Sequence, residues 1–214
     1  MKRYAGGLAM GWVRVLTALL LAALIVGCSS SSPGDETTHY LLTDQSAVVE
    51  PGGGRQLLRV ERVALASYLD GEGIVMQTSE VAIRAARNHL WADDLAAQLH
   101  RDLMGRLAEQ LDGVRVLGPD QRVRGPGREV MELTVTLDRF QGRFDGYAVV
   151  GGKWQLLDDQ GEVRAGQRFR RERPLERDGY PALVSSLKQA WMGIVAGIAD
   201  GVSQAGWPDG SSDS

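Results

Sequence analysis

The chain has 214 residues, with 24 Lys and Arg against 27 Asp and Glu, a formal charge of −3. An acidic balance excludes a general nucleic-acid binder, whose grip on phosphates needs net positive surface. A single cysteine excludes an internal disulfide, and the length suffices for one hydrophobic core, since a chain of about 150 residues already buries roughly two thirds of its surface.

At the amino end Lys2, Arg3 and Arg14 precede Val15–Val26, an apolar run interrupted only by Thr17, and Gly27 and Cys28 follow. A membrane-spanning helix needs about 20 apolar residues. This run is shorter, so the order basic, apolar, small predicts a cleaved secretory signal over residues 1–27. Ile25-Val26-Gly27-Cys28 resembles the lipobox of bacterial lipoproteins. The resemblance implies cleavage before Cys28 and a covalent diacylglycerol and N-acyl lipid there. Each buried methylene is worth about 0.8 kcal/mol, so two or three long chains supply on the order of 20 kcal/mol. In such lipoproteins an Asp after the cysteine favours retention in the inner membrane. Here Ser29 follows, which implies the outer membrane, periplasmic face. Removal of the signal takes Lys2, Arg3 and Arg14 but no acid, so the formal charge moves from −3 to −6.

Residues 28–38, ending in "SSSSPGDETT", hold nothing apolar enough to pack and are expected to form a flexible tether. The ten residues Ser29–Thr38 reach at most ~33 Å. A single folded domain is expected over 39–206 and a frayed, disordered tail over 207–214, with Trp207 the one residue there able to dock. His39–Leu42 and Gln56–Leu65 read as strands, separated by the "PGGGR" loop. Trp91, Leu95, Leu99, Leu103, Leu107 and Leu111 recur every four residues and predict a helix, with Asp93 and Asp94 in its first turn and Asp112-Gly113 as its stop. Val114–Leu117 is a short strand. In Glu129–Phe140, Leu133, Val135 and Leu137 alternate with Glu132, Thr134, Thr136 and Asp138. Tyr147–Leu157 continues the pattern, and "DDQG" at Asp158–Gly161 is a hairpin turn into Val163–Arg171. Gly142, Gly146, Gly151 and Gly152, inside or beside these strands, suggest bulges and turns. Pro181 suits a first helical position, and Leu183, Leu187, Trp191, Ile194, Ile198 and Val202 follow at helical steps. These elements predict an α+β fold: a two-layer sandwich, mainly antiparallel sheet with two amphipathic helices packed on one face.

One segment is too apolar for an idle loop. "ASYLDGEGIVMQTSEVAIRAARNHLWADD" is read as a long loop carrying Tyr68, Leu69, Ile74, Val75 and Met76, and loops of that length are often functional. These five are candidate partner-binding residues. Arg168 and Arg170 are further candidates, because they share a face of the fourth strand amid Arg164, Arg171, Arg173 and Arg177. The alternative for the arginines is a solvated face balanced by Glu162, Glu172 and Glu176.

Tyr68-Leu69, Gly71-Glu72-Gly73, Ile74–Ser79, Asn88–Ala92, Phe140–Gly146, Trp154 and Asp178-Gly179-Tyr180 together resemble, in order, the PqiC-type ABC-transport auxiliary lipoproteins. The resemblance covers nearly the whole chain after the signal. It implies a non-enzymatic, lipid-anchored adaptor of a transenvelope lipid-transport system supporting outer-membrane integrity. The implied partner is a periplasmic MCE-domain protein, and a ring-like homo-oligomer would fit a capping role. The alternative is a lipid carrier with a hydrophobic cavity between helices and sheet.

Catalytic and metal chemistry find little support. No Gly-x-Ser-x-Gly occurs, and acylation would occupy the sole thiol. Gly71-x-Gly73 lacks the third glycine of a dinucleotide loop. Placed on one helix, His89 and His100 would stand ~16 Å apart, far beyond shared zinc coordination. No cofactor besides the covalent lipid is expected.

Overall fold

The computed structural model describes residues 36–42, 56–121 and 130–207. The expected signal segment, Cys28, most of the tether, the "PGGGR" loop and all of the tail but Trp207 lie outside these residues. Among the described residues, nine strands and two α-helices follow in the order β1 (Thr38–Tyr40), β2 (Gln56–Val60), β3 (Ala64–Leu65), β4 (Gly73–Gln77), β5 (Ile83–Trp91), α1 (Leu95–Gln110), β6 (Val114–Leu117), β7 (Val130–Arg143), β8 (Tyr147–Leu157), β9 (Val163–Pro174) and α2 (Tyr180–Gln204).

All nine strands belong to one sheet, and it is mixed. The antiparallel half follows the expected hairpins: β7 pairs with β8 and β8 with β9. The other half is largely parallel. β2 runs parallel to both β6 and β7, β3 and β4 run parallel to β7, and β1 runs parallel to β5. The expectation of a mainly antiparallel sheet is therefore corrected. Turn-linked neighbours announce antiparallel pairs, whereas parallel pairs need crossovers between segments distant in sequence. Strand β7 organises the sheet: β8 covers one edge, while β2, β3 and β4 share the other.

The alternation read in β7 is real. Met131, Leu133, Val135 and Leu137 are buried, and Glu132, Thr134, Thr136 and Asp138 alternate with them at partial exposure. Those buried residues join Leu99, Leu103 and Leu107 of α1 and Leu187, Trp191, Ile194 and Ile198 of α2 in one core. α1 packs on β6 and on α2, and α2 packs on β7, β8 and β9. α2 is long and apolar enough to cross a membrane, but 61% of its apolar window is buried in the fold, as a core helix requires.

Three boundaries move. Trp91 ends β5 rather than starting a helix, and α1 begins after Asp94, whose Oδ1 accepts the Ala97 amide at 2.7 Å as an N-cap. Thr38 is already paired in β1, against His89. Trp207, expected in the tail, is partly buried against the core. The glycines behave as strand punctuation. The β7–β8 register shifts between Leu137 and Arg139, opposite Gly152 and Gly151, and a Cβ on Gly152 would overlap the Thr136 carbonyl oxygen.

Candidate partner-binding surfaces

The segment read as one long loop is a 3-10 turn, Ser67–Leu69, followed by the β4–β5 hairpin. This corrects the expectation of an exposed apolar loop. Leu69, Ile74 and Val75 are only 1%, 0% and 4% exposed and serve the core. Their apolarity is that of a buried strand, which periodicity over so few residues does not separate from a binding loop. Met76 is half-buried, with its sulfur against Gly142, where a side chain would collide with it.

Tyr68 is also half-buried, and its hydroxyl lies 2.7 Å from both the Asp138 carbonyl and Gln141 Oε1. One phenolic proton can serve one of these acceptors at a time. Burial pushes the phenol up from its ordinary value. Gln141 is itself buried, and its Nε2 stands 3.5 Å from Gln77 Oε1 of β4. This polar knot holds the Ser67–Leu69 turn onto β7.

Arg168 and Arg170 stand exposed on β9, an edge strand whose pairing is with β8 alone. Charged side chains on such an edge discourage indiscriminate strand pairing. Arg168 donates to Asp138 Oδ2 at 3.0 Å, so Tyr68 and Arg168, from candidate regions far apart in sequence, meet at Asp138. Arg170 bonds Glu172 at 2.6 Å, and Glu172 also accepts from Arg143 at 2.8 Å. Arg143 grips Asp145 through two bonds of 2.6 and 2.8 Å and lies 5.0 Å over the Tyr147 ring. Hydrogen bonds from Arg170 and then Arg143 hold the Glu172 carboxyl below its ordinary value, and Arg143 does the same for Asp145. The row is thus a network, Arg170–Glu172–Arg143–Asp145, rather than a set of free cations. Glu172 as a balancing acid was legible in the sequence; the roles of Asp138 and Gln141 were not, because their partners are long-range.

Behind β9 a cleft of about 320 Å³ opens against α2, floored by Trp154, Phe169, Ile194 and Ile198. Arg171 lies beside Gly193, where an added Cβ would sit 3.4 Å from its guanidinium carbon. A second cleft, of about 410 Å³, opens near the N-terminus of α1 between His39, Trp91, Asp70, Glu72 and Asp94. No cluster of three His, Cys, Asp or Glu side chains suited to a metal exists among the described residues. His89 is on β5, not on a helix with His100. Its ring stacks on Tyr180 at 4.0 Å and its Nδ1 lies 3.0 Å from the Tyr40 hydroxyl, a clasp joining β1, β5 and α2.

Comparison with known proteins assigns this architecture. The family described as ABC-type transport auxiliary lipoprotein component matches residues 40–199. The chain is 37% identical over 194 residues to the intermembrane transport lipoprotein PqiC of Escherichia coli K12, covering 88% of this chain and 95% of that protein. The same figures hold for PqiC of Shigella flexneri. A crystal structure of an uncharacterized protein superposes with a TM-score of 0.65 at 35% identity, over 78% of this chain and 99% of the other. A Xanthomonas campestris protein shares the fold at a TM-score of 0.59 and 17% identity, over 78% and 92% of the two chains. With the family pattern spanning β1 to most of α2, and the identity extending over nearly the whole sequence, this chain belongs to the ABC-type transport auxiliary lipoproteins, as a PqiC-like member.

Proposed function

We propose that the chain is a lipid-anchored, non-enzymatic assembly subunit of an MCE-type transenvelope lipid-transport system. Acylated at Cys28, it sits on the periplasmic face of the outer membrane and supports that membrane's integrity. The observation that carries this reading is the 37% identity to an intermembrane transport lipoprotein over 95% of that protein's length. The lipobox-like Ile25–Cys28 supplies the means of anchoring.

A single domain that includes Thr38 and Trp207 binds a periplasmic MCE-domain protein, and a ring-like homo-oligomer caps the outer-membrane end of the assembly. Arg168 and Arg170 make the partner contact by exchanging their internal carboxylates, Asp138 and Glu172, for acids of the partner. Surface ion pairs of this kind are worth about 0–1 kcal/mol, so the exchange is nearly free. Tyr68 braces β7 at Asp138 and Gln141, and Met76 packs against it at Gly142. Leu69, Ile74 and Val75 act indirectly, by fixing the hairpin to the core. The covalent lipid is the only non-protein group required. The filling of the space between sheet and helices by fully buried Leu58, Leu99, Leu133, Leu187 and Trp191 weighs against a lipid-carrying chamber.

The test is affinity purification of acylated protein from native envelopes. Wild type is expected in the outer-membrane fraction, with an intact lipid mass at Cys28 and an MCE-domain protein in the eluate. Arg168→Glu with Arg170→Glu should lose that protein without changing fractionation. An unmodified Cys28, or an eluate free of any MCE-domain protein, would overturn the proposal.

A further inference from the structure

We infer that one end of the sheet, formed by the β4–β5 hairpin and the β7–β8 turn, touches the phospholipid surface directly and so orients the domain on its membrane. The inference rests on the acylation of Cys28 proposed above. Gln77 of β4 pairs with both Ile83 of β5 and Arg143 of β7. The hairpin turn and the β7–β8 turn therefore stand side by side, about 10 Å apart across two strand spacings.

The two turns present large apolar side chains to solvent at this end. Val81 is 97% exposed, Phe144 54% and Ile83 49%. Single exposed apolar residues are ordinary, but several gathered at one tip mark a contact. The hairpin also closes its own backbone: the Thr78 and Ser79 amides donate to the Ala82 carbonyl, and Gln77 Nε2 donates to the Glu80 carbonyl. Such internal pairing lessens the cost of bringing backbone to an apolar interface.

The direction of the chain selects the occupant. β1 runs parallel to β5 with Thr38 beside His89, so the residues before Thr38 leave toward the hairpin end. Six residues separate His89 from Ile83, about 20 Å along the strand. The ten residues from Cys28 to Thr38 extend to ~33 Å at most, enough for the hairpin to rest on the surface that holds the acyl chains. Arg84 and Arg87 flank the tip and can reach headgroup phosphates while Val81 and Ile83 enter the interface. Glu80 offsets one of these charges, and Arg143 is neutralised by Asp145 and Glu172. The contact is therefore driven mainly by apolar insertion, and salt weakens it only modestly.

Val81→Cys supplies a free thiol for labelling, since acylated Cys28 is a thioether. The full-length acylated variant, labelled there with an environment-sensitive fluorophore, is reconstituted into phosphatidylethanolamine/phosphatidylglycerol vesicles with and without brominated phospholipid. The label is expected to shift to the blue and to be quenched by the bromines, in low and high salt alike. A label at Val163→Cys, 55% exposed at the opposite end of the sheet, should stay aqueous. Flotation reads the anchor separately: protein that does not float overturns the acylation and this inference with it. Protein that floats while the Val81 label stays aqueous overturns the inference alone. So does a label shielded from water but not quenched, which would indicate a second copy or another protein on the hairpin.

Discussion

His100 shows how a single side chain carries a condition of stability. It lies in α1, and its Nδ1 is buried without a hydrogen-bond partner among the described residues. Burial is the main cause that lowers its pKa from 6.5, and the nearby positive Arg62 and Arg101 act the same way, against a hydrogen bond to the Glu61 backbone. In the folded state the ring therefore stays neutral to lower pH than in the unfolded chain. The unfolded state binds the extra proton, so stability falls as pH drops below 6.5 toward the folded value. Urea denaturation at about pH 7 and about pH 5 should show this loss in wild type, and His100→Gln should flatten that part of the slope. An unchanged slope would mean that the ring takes up its proton in the fold as readily as in the unfolded chain. Gly152 is a residue of the other kind, chosen for what it lacks, since any side chain there would strike the Thr136 carbonyl at the β7–β8 bulge.

At the scale of elements, each helix is started by a different device. α1 uses the side chain of Asp94, while Asp93 accepts the Asp94 amide and an Arg101 guanidinium at 2.6 Å. α2 uses Pro181 just after an N-cap Gly179 at φ 106°, where a glycine meets no steric penalty. Asp94→Ala should therefore cost about 1 kcal/mol of unfolding free energy, read by thermal or urea melts, with Asp94→Asn recovering most of it. Neither variant should change β5, whose last residue, Trp91, is held by its amide to the Glu72 carbonyl. The β4–β5 hairpin is the element whose value changed most between sequence and structure. Its base is core and its tip is surface, so one short segment serves both packing and contact.

For the whole molecule, the joint between the anchor and the domain is decisive. β1 is only three residues long and pairs with β5, yet it receives the chain that leads from Cys28. Two contacts beyond the ladder secure it. Tyr40 meets His89, which stacks on Tyr180, and the Leu42 amide donates to Gln98 Oε1 at 2.9 Å in the core. Gln98 also donates to the Asp93 carbonyl at 2.9 Å, so one buried amide ties β1 to the start of α1. Gln98→Leu keeps the volume and strands both backbone groups. It should cost roughly 1–3 kcal/mol and raise amide exchange at Tyr40–Leu42 ahead of the rest of the sheet. Exchange that rises evenly across the domain would show that β1 is not a separate joint.

Sequence alone determined the local and the compositional. The basic, apolar and lipobox-like start, the four-residue leucine stripe of α1, the stepped apolar face of α2 and the β7–β8–β9 meander each depend on neighbours within a few turns, so their periods are visible without a fold. The ordered motifs from Tyr68 to Tyr180 also sufficed for the family. Tertiary structure decided what depends on distant segments. It made β2, β3 and β4 share an edge of β7, turned Leu69, Ile74 and Val75 from candidate contacts into core, and brought Tyr68 and Arg168 together at Asp138. Parallel pairing and burial arise from long-range packing, for which a strand's own residues carry no address.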